Sequence, residues 1–199
     1  RHLNGLLKAN TGEVYYRGIE IEKRLDVVRQ KIGLVFQNPS EQFIGQTVTE
    51  DIAFGPENLR KSEEEIHSVT ERLLDLFSLQ ELSDRAPENL SGGEKRRLAL
   101  AGVLALEPEL VIFDEPFTDL DYEGVREVLG EILRLKETGI AVLIACHDYE
   151  KIFAHADRLL VLENGRLVEN GEPYDLLERL ETYCLTPFKH FAGRLTWLR

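Results

Sequence analysis

The sequence predicts an α/β fold: a parallel sheet with helices on both faces and a block of helices set into it. Three observations carry this expectation. Leu110–Phe113 and Ala141–Ala145 are short apolar runs without polar alternation, the pattern of strands buried on both sides. Tyr122–Lys136, between them, is amphipathic at helical spacing, so strand, helix and strand follow in βαβ order. Residues 49–101 are acidic and helical in pattern, which marks them as an inserted subdomain.

The elements follow in chain order. Leu3–Leu7 reads as the end of an apolar helix, closed by Asn10-Thr11-Gly12. Glu13–Tyr16 reads as a strand and Arg17-Gly18 as a turn. Ile32–Phe36 is a further apolar run, bounded by Gln37-Asn38-Pro39, and reads as a strand entering a loop. Ser62 supplies an N-cap, with Glu63, Glu64 and Glu65 in the first turn, where acids suit the helix dipole. Ile66, Val69, Leu73, Leu74, Leu76 and Phe77 then recur at roughly helical spacing. Another helix starts near Ser91 and runs through Ala101. After the central strands, Tyr149–His155 reads as a short helix and Arg158–Leu162 as a third strand. Glu163-Asn164-Gly165 turns the chain into Arg166–Glu169, its hairpin partner. Residues 176–199 form a C-terminal tail. In its Tyr183–Arg199 stretch Phe188, Phe191, Leu195, Trp197 and Leu198 interleave with Lys189, Arg194 and Arg199, which suits a packed terminal helix or a subunit contact.

At 199 residues the chain suffices for one packed domain, with or without an insertion. Its apolar share of 43% and charged share of 30% are those of a soluble globular protein. The net charge of −12 argues against a nucleic-acid partner, which calls for a dense basic face, and disfavours adsorption to anionic lipid. Cys146 and Cys184 are too few for a disulfide framework. Cys146, in Ile144-Ala145-Cys146, reads as a buried thiol, and a reducing cytosol fits. No apolar run approaches the roughly 18–20 residues of a membrane-spanning helix, so any membrane association is expected through a partner. The chain opens without a signal peptide and contains no methionine, so Arg1 is not expected to be where translation began.

Two stretches carry chemistry. Leu110–Phe113 ends in Asp114-Glu115-Pro116, which puts two carboxylates at the carboxyl end of a parallel strand, where open α/β sheets bind ligands. In phosphoryl transfer one such Asp holds Mg²⁺ and a neighbouring carboxylate orients or deprotonates the attacking water. Taken alone, the pair fits equally a core strand ending in solvated acids. Ser91-Gly92-Gly93-Glu94 lets backbone approach a phosphate at a helix N-terminus, with the Ser91 hydroxyl as donor. Taken alone, it is also a serine-capped helix after a glycine turn.

Together these stretches resemble the ATP-binding-cassette family, with Leu90–Glu94 as its signature and Leu110–Glu115 as its Walker B strand. Gln37 matches the Q-loop glutamine, Leu120-Asp121 the D-loop, and His147 the switch histidine. The resemblance implies a P-loop NTPase-like core that uses ATP and Mg²⁺. In it Asp114 and Gln37 serve the metal, Glu115 is the general base, and His147 meets the γ-phosphate. Ser91, Gly92, Gly93, Gln37 and Asp121 would contact nucleotide. The segment Phe36–Phe43 with Thr47–Leu59 is more specifically similar to ATPases of energy-coupling-factor importers for metal ions or vitamins. That likeness implies a second ATPase subunit in a homo- or heterodimer and an integral membrane transport subunit that chooses the solute. It further implies peripheral attachment at the cytoplasmic face of the membrane. The chain departs from the pattern in having no G-x-x-x-x-G-K-[ST] phosphate loop, in Glu94 where Gln is commoner, and in Phe117 and Asp119 after Walker B. The 199 residues are therefore read as a partial ATPase domain, without N-terminal strands, that does not hydrolyse ATP alone. Two rivals stand beside this reading: a truncated module offering only its signature to an intact partner, and a soluble cassette ATPase outside transport.

Overall fold

The computed structural model describes residues 1–183, except the side chains of Glu181 and Thr182. The aromatic and basic residues from Phe188 to Arg199, and Cys184, lie outside them. The chain divides into two compact units, residues 1–118 with 135–145, and residues 119–134 with 146 onward.

In the first unit, β1 (Tyr15–Tyr16) and β2 (Ile19–Glu20) form a small antiparallel hairpin. Arg17 and Gly18 both have positive φ (48° and 78°), the backbone that a two-residue hairpin turn requires. Helix α1 (Leu25–Lys31) leads into β3 (Ile32–Val35). Then come α2 (Val48–Asn58), α3 (Glu63–Leu76), α4 (Gly92–Leu104), β4 (Leu110–Asp114), the last turn of α5 (Tyr122–Glu137) and β5 (Ala141–Ala145). Strands β3, β4 and β5 form one parallel sheet, with Val35 opposite Phe113 and Asp114 opposite Ala145.

Alternation along the strands sends neighbouring side chains to opposite faces, and each face has its own cover. On one, Ile32, Leu34 and Ile112 pack with Val28 of α1 and Ile21. On the other, a Cβ on Gly33 would lie 2.3 Å from Val103 of α4, so β3 admits that helix only because residue 33 lacks a side chain. The sheet is thus layered between helices, as the unbroken apolar runs predict.

The helical block begins with true caps. Thr47 accepts from the Glu50 N–H, and Ser62 with Glu65 forms a reciprocal capping box on α3. Val69, Leu73 and Leu74 make the buried stripe of α3. Helix α2 is anchored at its start by N–H groups of Val48 and Thr49, which donate to the carbonyls of Arg85 and Ser83 at 3.0 Å each.

The second unit holds most of α5, whose buried residues Val125, Leu129 and Ile132 keep helical spacing. It also holds the antiparallel pair β6 (Leu159–Glu163) and β7 (Arg166–Gly171), turning through Asn164 and Gly165 at positive φ. Tyr149, Phe153, Val161 and Leu180 form its core. A short helix α6 (Pro173–Leu176) and a 3₁₀ segment Leu177–Tyr183 close the described chain.

Several expectations are corrected. Leu3–Leu7 is a set of turns: Gly5 has φ 68°, and the Asn4 side chain takes the Leu6 N–H that a helix would use. The expected strand Glu13–Tyr16 shrinks to its last two residues. Tyr149–His155 is two 3₁₀ turns, Tyr149–Lys151 and Phe153–His155. Among the described residues β5 is an edge strand and only partly buried, and Cys146 after it is half-buried. The strand expected at Arg158–Leu162 forms the expected hairpin with β7, but among the described residues it joins no parallel strand and leaves Leu162 71% exposed.

Candidate functional site

Because β3, β4 and β5 run parallel, their carboxyl ends share one edge of the sheet. Asp114 is the last residue of β4, half-exposed, and Glu115 follows it. Gln37 lies two residues beyond the end of β3 and is exposed. The structure therefore brings the Gln37 loop and the two carboxylates to the same end of neighbouring strands.

The Glu115 backbone, like that of six other described non-glycine residues, lies in the left-handed region, with φ 50°, and its N–H donates to the Ala145 carbonyl at 2.8 Å. Such strain persists only where surrounding bonds enforce it, and it concentrates at functional sites. Thr118 N–H in turn donates to the Glu115 carbonyl at 3.4 Å. The Asp114 carboxylate lies 3.9 Å from the Arg1 guanidinium, which also stands over the Phe36 ring at 5.4 Å.

Asp114 is one carboxylate, and among the described residues no three His, Cys, Asp or Glu are grouped to hold a metal. Mg²⁺ that travels with phosphate keeps most of its shell as water and phosphate oxygen and needs only one or two carboxylates. A partly exposed Asp at a strand end, with a glutamine in the loop after the neighbouring strand, fits that donor set.

Ser91 is the N-cap of α4. Its hydroxyl accepts from the Glu94 N–H at 3.3 Å, while the Glu94 carboxylate accepts from the Ser91 N–H at 2.6 Å. Those bonds hold the Glu94 carboxyl below its usual range, the Ser91 N–H contributing most. Gly92 and Ser91 are exposed, and a Cβ on Gly92 would meet nothing within 4 Å among the described residues. Val103, at the far end of α4, is the residue against β3, which sets Ser91 roughly 18 Å away along the helix at 1.5 Å per residue. Ser91 is therefore not gathered with Asp114 and Glu115 by this route.

Asp121 and His147 belong to the second unit. Asp121 accepts from the Gly124 N–H at 2.8 Å and so caps α5. His147 is exposed, with Nε2 3.6 Å from the Asp148 carboxylate, which is itself paired with Lys151 at 2.6 Å.

Sequence reading missed the residues that shape the Gln37 loop. Gln42 joins two backbone segments: its Oε1 accepts from the Phe36 N–H at 3.1 Å and its Nε2 donates to the Ala99 carbonyl at 3.2 Å. Asp51 accepts from the N–H groups of Ile44 and Gly45, at 2.7 and 3.0 Å. A Cβ on Gly45 would lie 2.2 Å from the Asp51 nitrogen, so only glycine fits against the start of α2. The partners are backbone atoms, one of them 57 residues away, which no residue-type pattern announces. Just outside this brace, Ile44 is 63% and Phe54 38% exposed, and Phe43 is half-buried.

The family model described as ABC transporter matches residues 1–118. The chain belongs to the ABC transporter family. It is 42% identical over 183 residues to the energy-coupling factor transporter ATP-binding protein EcfA of Methanothermobacter thermautotrophicus, across 90% of this chain and 59% of that protein. It is likewise 42% identical to EcfA2 of Clostridium tetani, across 92% of this chain and 65% of that one. The chain thus spans about three fifths of the length of these ABC relatives. A solved structure of cbiO1 from Clostridium perfringens, described as part of the ABC transporter complex cbiONQ, superposes with TM-score 0.79 at 34% identity. It covers 91% of this chain and 74% of that one. The α/β core seen here is accordingly the P-loop NTPase fold of an ABC ATPase.

Proposed function

We propose that this chain is part of the ATP-binding and hydrolysing subunit of an energy-coupling-factor type ABC importer, coupling ATP hydrolysis to uptake of a metal ion or vitamin. The observation that carries the proposal is the carboxylate pair at the end of β4, with Glu115 locked at φ 50° beside the Gln37 loop. In this reading Asp114 and Gln37 hold Mg²⁺, which screens phosphate charge when bound. Glu115 accepts the proton of the attacking water, and its enforced backbone fixes where that carboxylate stands. His147 meets the γ-phosphate. Ser91, Gly92 and Gly93 face the nucleotide of a second ATPase subunit, which suits a Gly92 that meets nothing among the described residues of its own chain. Asp121 lies at the same subunit contact.

Residues 49–101 act as the signature subdomain and 176–199 as a C-terminal tail. The exposed Ile44 and Phe54 offer an apolar centre for an integral membrane subunit. No helix among the described residues is long and apolar enough to cross a membrane, which supports peripheral attachment, at the cytoplasmic face, through that partner. With a net charge of −12, no nucleic acid is expected as a partner.

Glu115→Gln in the full-length protein tests the proposal. Turnover is expected to fall by about 10²–10⁴-fold, the range for a lost general base, while ATP with Mg²⁺ still drives dimer formation on a sizing column. Near-normal hydrolysis by this variant would remove Glu115 from the role.

A further inference from the structure

Gln42 is the side chain that ties the Gln37 loop to the helix bearing Ser91. Phe36 is the first residue past β3 and the immediate neighbour of Gln37, and its N–H is held by Gln42 Oε1 at 3.1 Å. Ala99 is buried in the middle of α4, eight residues beyond Ser91, and its carbonyl takes the Gln42 amide at 3.2 Å. A helical carbonyl has a second lone pair beyond its intrahelical bond, so the contact leaves α4 intact. Both ends of the bridge are main chain. It therefore fixes the position of backbone rather than the rotamer of one neighbour.

The loop has little other freedom. Asn38 accepts from the Ser40 N–H at 3.2 Å, and the N–H groups of Glu41 and Gln42 donate back to Asn38 and Pro39. Asp51 secures Ile44 and Gly45, and the first N–H groups of α2 are bound to Ser83 and Arg85, in the stretch that leads to Ser91. Residues 36–51 are thus fastened to α4 at one end and to the approach to the signature at the other.

We propose that Gln42 is a positioning residue for the nucleotide reaction, holding Gln37 and the Ser91 helix in one fixed arrangement. This inference rests on the reading of Gln37 and Ser91 given above. A partner pressing on Ile44 and Phe54 then displaces loop and helix together.

The test uses the full-length protein in its transport complex. Gln42→Met keeps length and volume but makes neither hydrogen bond. Gln42→Glu keeps the acceptor for Phe36 and sets a carboxylate oxygen against the Ala99 carbonyl. Both variants are expected to lower kcat for ATP by about tenfold or more, a modest share of what misplacement can cost, with KM within about twofold. In Gln42→Met the Phe36 amide should also exchange its hydrogen about tenfold faster, which reads the bridge directly. Wild-type kcat in Gln42→Met, or a change confined to KM, overturns the inference. So does unchanged exchange at Phe36. A Gln37→Ala control with wild-type turnover would instead overturn the role of Gln37 itself, so the two failures are distinguishable.

Discussion

Asp51 shows how one carboxylate sets the shape of a functional loop. Its Oδ1 gathers the N–H groups of Ile44 and Gly45, and burial pushes its carboxyl above the ordinary value of 3.8, the two N–H groups opposing this only in part. A raised value means that the folded state holds the proton more tightly than the unfolded chain. Its contribution is therefore greatest below the unfolded value and declines as pH rises through the folded one. Asp51→Asn keeps an acceptor and removes the buried charge, so stability at pH 7 should be equal or higher. Asp51→Ala leaves two N–H groups unpaired and should cost about 1–3 kcal/mol. Urea unfolding at pH 4 and pH 7 separates the two variants. An Asn variant as damaged as the Ala variant would refute this account.

Helix α4 carries its proposed function and its own stability in the same residues. Ser91 and Glu94 satisfy each other's N–H groups, so the signature is also a capping box. Losing Ser91 to Ala should cost about 1 kcal/mol of stability, apart from any effect on nucleotide. Glu94 has the opposite pH sign to Asp51. Its carboxyl is held low, chiefly by the Ser91 N–H, so its contribution is present above its unfolded value near 4.5 and is lost as pH falls through the folded one. Glu94→Gln keeps an acceptor for Ser91 without the charge. Between pH 7 and pH 4 the wild-type chain should lose more stability than this variant, measured by denaturant midpoint. Parallel losses would show that Glu94 does not act through its charge.

For the whole molecule, the outcome that matters is whether the exposed residues beside the braced loop meet a membrane partner. Ile44, at 63% exposure, can accept a charge without disturbing the core, whereas Phe43 is half-buried and makes a less clean probe. Burying an Ile side chain is worth roughly 1.5–3 kcal/mol. Ile44→Glu in the full-length protein should then weaken retention of an integral membrane subunit at least about tenfold, while folding and ATP binding persist. Co-purification from solubilised membranes is the measurement. Undiminished retention counts against a coupling surface at Ile44, and the lack of any membrane partner favours the soluble ATPase.

Apolar period and capping chemistry are local, so the strands Ile32–Phe36, Leu110–Phe113 and Ala141–Ala145, the helix Tyr122–Lys136 and the capped start of α3 are legible in the sequence to within a residue. The sequence also made the carboxylate pair, the signature and the Gln37 loop legible, since their residue types stand in short contiguous runs. Tertiary structure alone decided the rest. Arg158–Leu162 pairs with β7 as the Asn164-Gly165 turn predicts, yet Leu162 stays 71% exposed, because burial is settled by what lies alongside and not by composition. The left-handed backbone of Glu115 follows from bonds made around it, including one to Ala145, thirty residues on. Gln42 finds Ala99 across 57 residues, and a glutamine looks the same in sequence whether it faces water or bridges two backbones.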